Sequence, residues 1–340
     1  RALTWIVVWW SVFCSATAGM WSATAMIVCR FLFGMGEAGA FPIATRSLSR
    51  WMLPSERGFA QGITHAGSRL GAALTPAIVG AMIVAWGWRT AFVSFGSLGI
   101  IWAIVWHWYY RDTPAEHVGV NPAELELIAK SVAVKKPAPG GVPWRRILSS
   151  SQLWILSLSY FCYGYSLAVY LDWFPKYLNA ERGFSIEKMG FYASLPLFAG
   201  TLGDICGGWA SDRLTSRIGL TWARRVVAIG GFLMAAVAIL AACFAADPVE
   251  SVWFSCAAMF ALELTVGVSW AIPLDIGGDV AGSVSAVMNT LGNMGGAVAT
   301  TISGYLVKYY GWKATFIVMS VLSVMAAGLF LRIDAEKKIA

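Results

Sequence analysis

A chain of 340 residues is long enough for two or three water-soluble domains, but 58% apolar and only 13% charged residues exclude that class. Eighteen Trp in one chain argue the same way, and disorder, collagen, coiled coil and disulfide scaffold go with it. The net charge of +7 invites a nucleic-acid reading, which the placement of the charges replaces below.

A hydrocarbon core of about 30 Å takes about 20 residues of helix. Uncharged windows of that size predict ten helices, roughly 3–20, 22–49, 55–85, 90–110, 150–175, 187–210, 224–245, 249–274, 281–307 and 312–332. The first two come from one uncharged stretch too long for a single crossing, with Gly19 as the hairpin point. The runs are continuous rather than alternating, which excludes a transmembrane barrel. The expected fold class is an all-α polytopic membrane protein. A long connection, 107–148, separates a first bundle over 1–106 from a six-helix bundle over 149–340. Within it, Asn121-Pro122 opens a short surface helix running to Lys130, and Lys135-Lys136-Pro137-Ala138-Pro139-Gly140-Gly141 reads as a flexible linker. The six cysteines lie in apolar stretches with no C-x-x-C pair, so they read as small hydrophobes; neither metal nor cofactor is expected.

With Arg1 placed in the cytoplasm and each helix reversing the side, seventeen Lys and Arg fall inside. Six fall outside: Arg89, Lys176, Arg182, Lys188, Lys308 and Lys313. Arg30 and Arg69 lie within helices. This positive-inside bias explains the basic balance without nucleic acid and puts both ends in the cytoplasm, with the cell membrane as location. Four helices against six is lopsided, whereas transporters are commonly built from equal repeats. A six-plus-six protein lacking its first two helices reads in this way, and an opening Arg1 in place of Met agrees.

Arg30 and Glu37 share a face of one predicted helix, about 10 Å apart along its axis. Arg30 falls close to the bilayer centre, where a charge is costly unless it is paired or faces water. A guanidinium suits a carboxylate ligand through its planar fork. A half-desolvated carboxylate such as Glu37 is suited to loading and releasing a proton. The alternative is an intramembrane ion-pair network that only locks helices together. Gly34, Gly36 and Gly39 between them fit close helix packing.

Gly208-Trp209-Ala210-Ser211-Asp212-Arg213, trailed by Arg217, Gly219, Arg224 and Arg225, lies at a cytoplasmic turn. The segment resembles the hallmark loop of the major facilitator superfamily. Arg30-Phe31-Leu32-Phe33-Gly34-Met35-Gly36-Glu37-Ala38-Gly39-Ala40-Phe41-Pro42, followed by Ser49-Arg50-Trp51 and Pro54-Ser55-Glu56-Arg57-Gly58, is similar to the fourth-helix signature of the anion:cation symporter family. Tyr109-Tyr110-Arg111-Asp112-Thr113-Pro114 and Trp173-Phe174-Pro175-Lys176-Tyr177-Leu178 resemble the segments at that family's sixth and seventh helices. The likeness covers nearly the whole chain and sets the ten helices as the family's third to twelfth.

The resemblance implies a proton-coupled secondary transporter of a small organic anion such as a sugar acid, acting as a monomer by alternating access. Arg30 would contact the substrate carboxylate and Glu37 would couple a proton to it. Asn289 and Asn293, one turn apart, would present an amide to the substrate; interhelical hydrogen bonding is the other reading. Asp212, with Arg213, would dock near Ser55-Glu56 at the start of the third predicted helix and close the cytoplasmic side.

The sequence departs from the pattern at Ser68, where several sugar-acid carriers have a glutamine, and at the Arg69 that follows. Arg69 either supplies a second cationic contact, snorkels, or pairs with acidic neighbours. Glu263, mid-helix, is a candidate for the proton path; Asp204 reads as structural and Asp172 as wetted near an outer end. His65 lies one turn before Arg69 and reads as a hydrogen-bonded structural group. Tyr163 and Tyr170, seven apart, are the aromatic candidates for lining the cavity. A receptor or scaffold that lost transport, and a carrier of a neutral sugar or inorganic anion, stay open beside this reading. No constellation of an enzyme gathers at one depth.

Overall fold

The computed structural model describes residues 1–131 and 142–339, so the linker reading of 135–141 lies outside the described residues. The described chain is helical. Helices α1 (Ala2–Thr17), α2 (Ala23–Glu37), α3 (Ala40–Trp51), α4 (Arg57–Trp86) and α5 (Trp88–Tyr109) come first. The short α6 (Pro122–Ser131) and α7 (Trp144–Leu148) precede α8 (Ser151–Ala168) and α9 (Phe174–Ala180). Then come α10 (Ile186–Ile218), α11 (Leu220–Phe244), α12 (Pro248–Gly277), α13 (Ala281–Tyr310) and α14 (Trp312–Phe330). Among the described residues six stretches are individually long and apolar enough to cross a membrane, and one of these, Pro248–Tyr310, holds both α12 and α13.

Local chemistry explains the boundaries. Ser22 accepts from the Ala25 amide to start α2, and Asp247 accepts from the Val249 and Glu250 amides to start α12 beside Pro248. The expected surface helix after Asn121 is present, with the Asn121 side chain accepting from the Glu124 amide at 2.8 Å. Gly87, Gly219 and Gly311 each form a one-residue joint between successive helices, at φ 80°, 81° and 76°. Only glycine adopts that backbone without strain.

Two predicted helices are interrupted, each four residues before a proline. The 22–49 helix divides at Ala38-Gly39 because Pro42 has no N–H to give the Ala38 carbonyl. The helix predicted over 150–175 widens into a π-helical turn at Val169–Trp173, where Pro175 leaves the Leu171 carbonyl without its usual donor.

The chain forms two compact units. One comprises Arg1–Met52 with Leu74–Lys135, the other Leu53–Ala73 with Lys136–Ala340. A division at residues 106 and 149 misses that α4 contributes its first part to the second unit. In the first unit α1 packs on α5 and α2 around Leu3, Val7 and Ala103. A side chain on Gly36 would strike the Trp9 ring, so this glycine serves close packing as expected, whereas Gly34 has open space around it. In the second unit α10 and α11 pack on α12, and α8 packs on α13. Here backbones meet directly: a Cβ on Gly207 would meet the Leu264 carbonyl, on Gly164 the Gly292 carbonyl, and on Gly208 the Gly58 carbonyl. The segment after α14 is fastened to this unit. Ile333, Ala335 and Ile339 are buried, the Ile339 amide donates to the Ile276 carbonyl at 2.8 Å, and Lys338 donates to the Asp275 carbonyl.

Candidate functional site

In the first unit, α2 carries Arg30 and ends on Glu37. The Arg30 side chain is exposed, its guanidinium carbon 5.2 Å from the centre of the Phe33 ring and 4.9 Å from that of Phe92. Stacking on phenyl faces holds a guanidinium while leaving its N–H edge free for an acceptor. Arg30 and Glu37 share no ion pair, and among the described residues no carboxylate stands at ion-pair distance from Arg30. Glu37 is exposed at the Ala38-Gly39 break.

The second unit holds a buried polar cluster that spacing alone does not assemble. Arg69 of α4 donates through Nε to Glu263 Oε1 of α12 at 2.8 Å and through Nη2 to the Tyr163 hydroxyl of α8 at 2.6 Å. Tyr163 in turn donates to the same carboxylate, 2.9 Å from Oε1 and 3.0 Å from Oε2. Glu263 is fully buried, and Arg69 and Tyr163 nearly so. Arg69 is paired with an acidic neighbour, Glu263, in this structure. The Tyr160 ring stacks on Tyr163 at 5.0 Å, and its hydroxyl accepts from the Trp270 indole at 2.7 Å. His65, one turn before Arg69, packs 4.9 Å from the Trp270 ring. A guanidinium bound to both a carboxylate and a phenol is charge-balanced and hydrogen-bonded, the condition for burial.

A second network joins α4, α10, α11 and α12 within the same unit. Asp212 of α10 accepts from the Gly58 amide at 3.1 Å and the Phe59 amide at 2.7 Å, so the first turn of α4 is capped by another helix. Asp212 also pairs with Arg224 at 2.8 Å. Arg224, fully buried, reaches on to Asp275 Oδ2 at 3.2 Å, and Arg57 meets Asp275 Oδ1 at 3.2 Å and the Leu274 carbonyl at 3.2 Å. Small residues make this possible, since a Cβ on Gly58 would stand 2.6 Å from Arg224 and 2.7 Å from Asp212.

The profile of the Major Facilitator Superfamily matches residues 1–300 and, in a second match, 214–340. The chain belongs to the Major Facilitator Superfamily. It is 40% identical over 304 residues to the "Probable sulfoacetate transporter SauU" of Cupriavidus necator, covering 89% of this chain and 70% of that protein. It is 30% identical over 328 residues to the hexuronate transporter of Bacillus subtilis, covering 95% and 76%. Two solved superfamily structures share the fold. The proton:xylose symporter XylE has a TM-score of 0.77 at 13% identity, covering 98% of this chain and 80% of that one. The human organic anion transporter MFSD10 has a TM-score of 0.73 at 17% identity, covering 96% and 76%. The chain is therefore a membrane transporter of the Major Facilitator Superfamily and not an enzyme.

The remaining candidates make no hydrogen bond or ion pair with Arg69, Glu263 or Tyr163 among the described residues. Ser68 is exposed although Arg69 beside it is buried. Tyr170 sits in the π-helical turn with its ring 5.4 Å from that of Phe174. Asn289 is half-buried and Asn293 exposed on α13. Asp172 is exposed and accepts from Thr300 at 2.8 Å. Glu56 and Arg213, expected at the superfamily loop's docking point, are both exposed. The buried charges at that point are Arg57, which adjoins Glu56, and Arg224 of α11, with Asp275. Asp275 was missed because it lies at the end of a long apolar window, where an acid reads as wetted. Its signal was the Pro-Leu-Asp-Ile-Gly-Gly run at 273–278, in which the acid sits before the turn rather than after it.

Proposed function

We propose that the protein carries a small organic anion across the membrane in symport with a proton. The observation that carries this reading is Arg30: a guanidinium on an apolar helix, laid over two phenyl rings and, among the described residues, not ion-paired with a carboxylate. Arg57, Arg69 and Arg224, by contrast, each have a buried acidic partner. A fork kept free in this way fits a ligand that brings its own negative charge. Sulfoacetate and hexuronate, named for two relatives, are carboxylates of that kind.

In the cycle we propose, the anion binds Arg30, Glu37 takes up the coupling proton, and the bound site opens alternately to the two sides. Tyr163 and Glu263 keep Arg69 occupied and tie α4, α8 and α12 into one block. The Asp212, Arg224, Asp275 and Arg57 network serves as the lock on the cytoplasmic side, an orientation supported by the bias of basic residues. Ser68, Tyr170, Asn289 and Asn293 remain candidates for substrate contact, and Glu56 and Arg213 for the rim of the lock. The unit of transport is a monomer in the cell membrane with both chain ends in the cytoplasm.

Uptake of labelled sulfoacetate and hexuronate into proteoliposomes under an imposed proton gradient tests the proposal. Gradient-driven accumulation should vanish in Arg30→Ala, and Glu37→Gln should leave only uptake down the anion gradient. Equal accumulation by Glu37→Gln and the native protein removes Glu37 as the coupler. Equal uptake by Arg30→Ala removes Arg30 as the anion site.

A further inference from the structure

The cycle above makes no use of Asp204. This residue of α10 is fully buried, and neither carboxylate oxygen has a hydrogen-bond donor among the described residues. The stretch of α10 that carries it, Gly200 to Asp204, packs against Glu263, whose own carboxylate is already engaged by Arg69 and Tyr163. Helix packing enforces the approach. Gly203, the residue before Asp204, lies where a Cβ would stand 3.1 Å from Glu263 Cβ, and a Cβ on Gly200 would stand 3.0 Å from Glu263 Cγ. The α10 backbone is thus pressed onto the Glu263 side chain. Gly62 of α4 closes the other side, where a Cβ would meet the Asp204 carbonyl.

The charges and titratable groups around Asp204 are Glu263 from α12, Arg69 from α4, and Tyr160 and Tyr163 from α8, with His65 behind Arg69. One guanidinium cannot balance two ionised carboxylates sealed from water. Two ionised carboxylates are both acceptors, and a hydrogen held between them turns one into a donor to the other.

We propose that Asp204 and Glu263 form a proton-binding carboxyl pair that holds one proton between them while Arg69 balances the charge left over. Arg69 and Tyr163 both reach Glu263 Oε1, whereas Oε2 is reached by Tyr163 alone, which leaves Oε2 as the oxygen with room for the proton. This deepens the symport reading by naming a proton store apart from Glu37. Its test needs no transport, so it stands or falls separately from that reading.

The test is difference infrared spectroscopy of the purified protein in lipid, between neutral and strongly alkaline pH. The native protein should show the carbonyl-stretch band of a protonated, water-excluded carboxyl group, lost as the pH rises. That band should disappear in Asp204→Asn, which keeps the shape of the protonated acid, disappear or move in Glu263→Gln, and persist in Glu37→Gln. If Asp204→Asn does not fold, Asp204→Glu carries the same reading through a displaced band. No band in the native protein, or an unchanged band in both Asp204→Asn and Glu263→Gln, overturns the proposal. So does a melting temperature raised by sodium over potassium chloride at equal ionic strength without any carboxyl band, which would give the site to a metal cation instead.

Discussion

Two arginines inside apolar helices differ in what surrounds them, and the difference sets what each substitution should do. Arg69 is sealed against Glu263 and Tyr163. Its replacement by leucine leaves a buried carboxylate facing another acid, so Arg69→Leu should destabilise the protein by about 3–5 kcal/mol. The double variant Arg69→Leu with Glu263→Leu should recover much of that loss, read from chemical or thermal unfolding in detergent. Among the described residues Arg30 has no acidic partner, and Arg30→Lys should leave the melting temperature nearly unchanged. It should nonetheless weaken anion binding about 10- to 100-fold in calorimetry, because an ammonium keeps the charge but not the planar fork. Sequence made both arginines visible, as charges where charge is costly. It did not tell them apart, because the partner of Arg69 lies 194 positions away on another helix and nothing local announces it.

Helices were legible because a bilayer imposes a length, and the short joints were not. Averaging over about 20 residues finds apolar windows, but it cannot register a single Gly at positive φ or a break placed by a proline four residues on. Gly87-Trp88-Arg89 and Gly311-Trp312-Lys313 carry the same glycine-tryptophan-base pattern, each at a joint that opens a helix, and that pairing was the available clue. Substitution at Gly311 should cost about 1–2 kcal/mol for each such backbone, seen as a lower melting temperature in Gly311→Ala. The α4 start depends on α10 in the same concrete way. Asp212→Ala removes the cap from Gly58 and Phe59 and should cost about 1–2 kcal/mol. Gly208→Ala inserts a methyl against the Gly58 carbonyl and should cost about 1–3 kcal/mol. Hydrogen exchange of the Gly58 and Phe59 amides should accelerate in both variants, which separates loss at this contact from a general loss of stability.

For the whole molecule, composition alone sufficed to exclude water-soluble classes, and the superfamily followed from motifs spread over nearly all of the chain. How the units divide did not. The loop at 107–148 looked like the only boundary, yet Leu53–Ala73 belongs with the second unit. The reason is physical: Gly58 and Gly62 let that part of α4 touch α10 backbone to backbone, and a pattern of small residues says nothing about which helix will arrive. Deleting 334–339 should lower the melting temperature, since it strips Ile339 and Lys338 from the end of α12 next to Asp275.

The one-residue joints carry a mechanical consequence. A helix pair spliced through a lone glycine has no slack, so a tilt imposed on α10 by a change at Asp212 is handed to α11 at Gly219 instead of being dissipated in a loop. Lengthening that splice by two or three flexible residues would act as a clutch: both helices would still form, but the stroke of one would no longer drive the other.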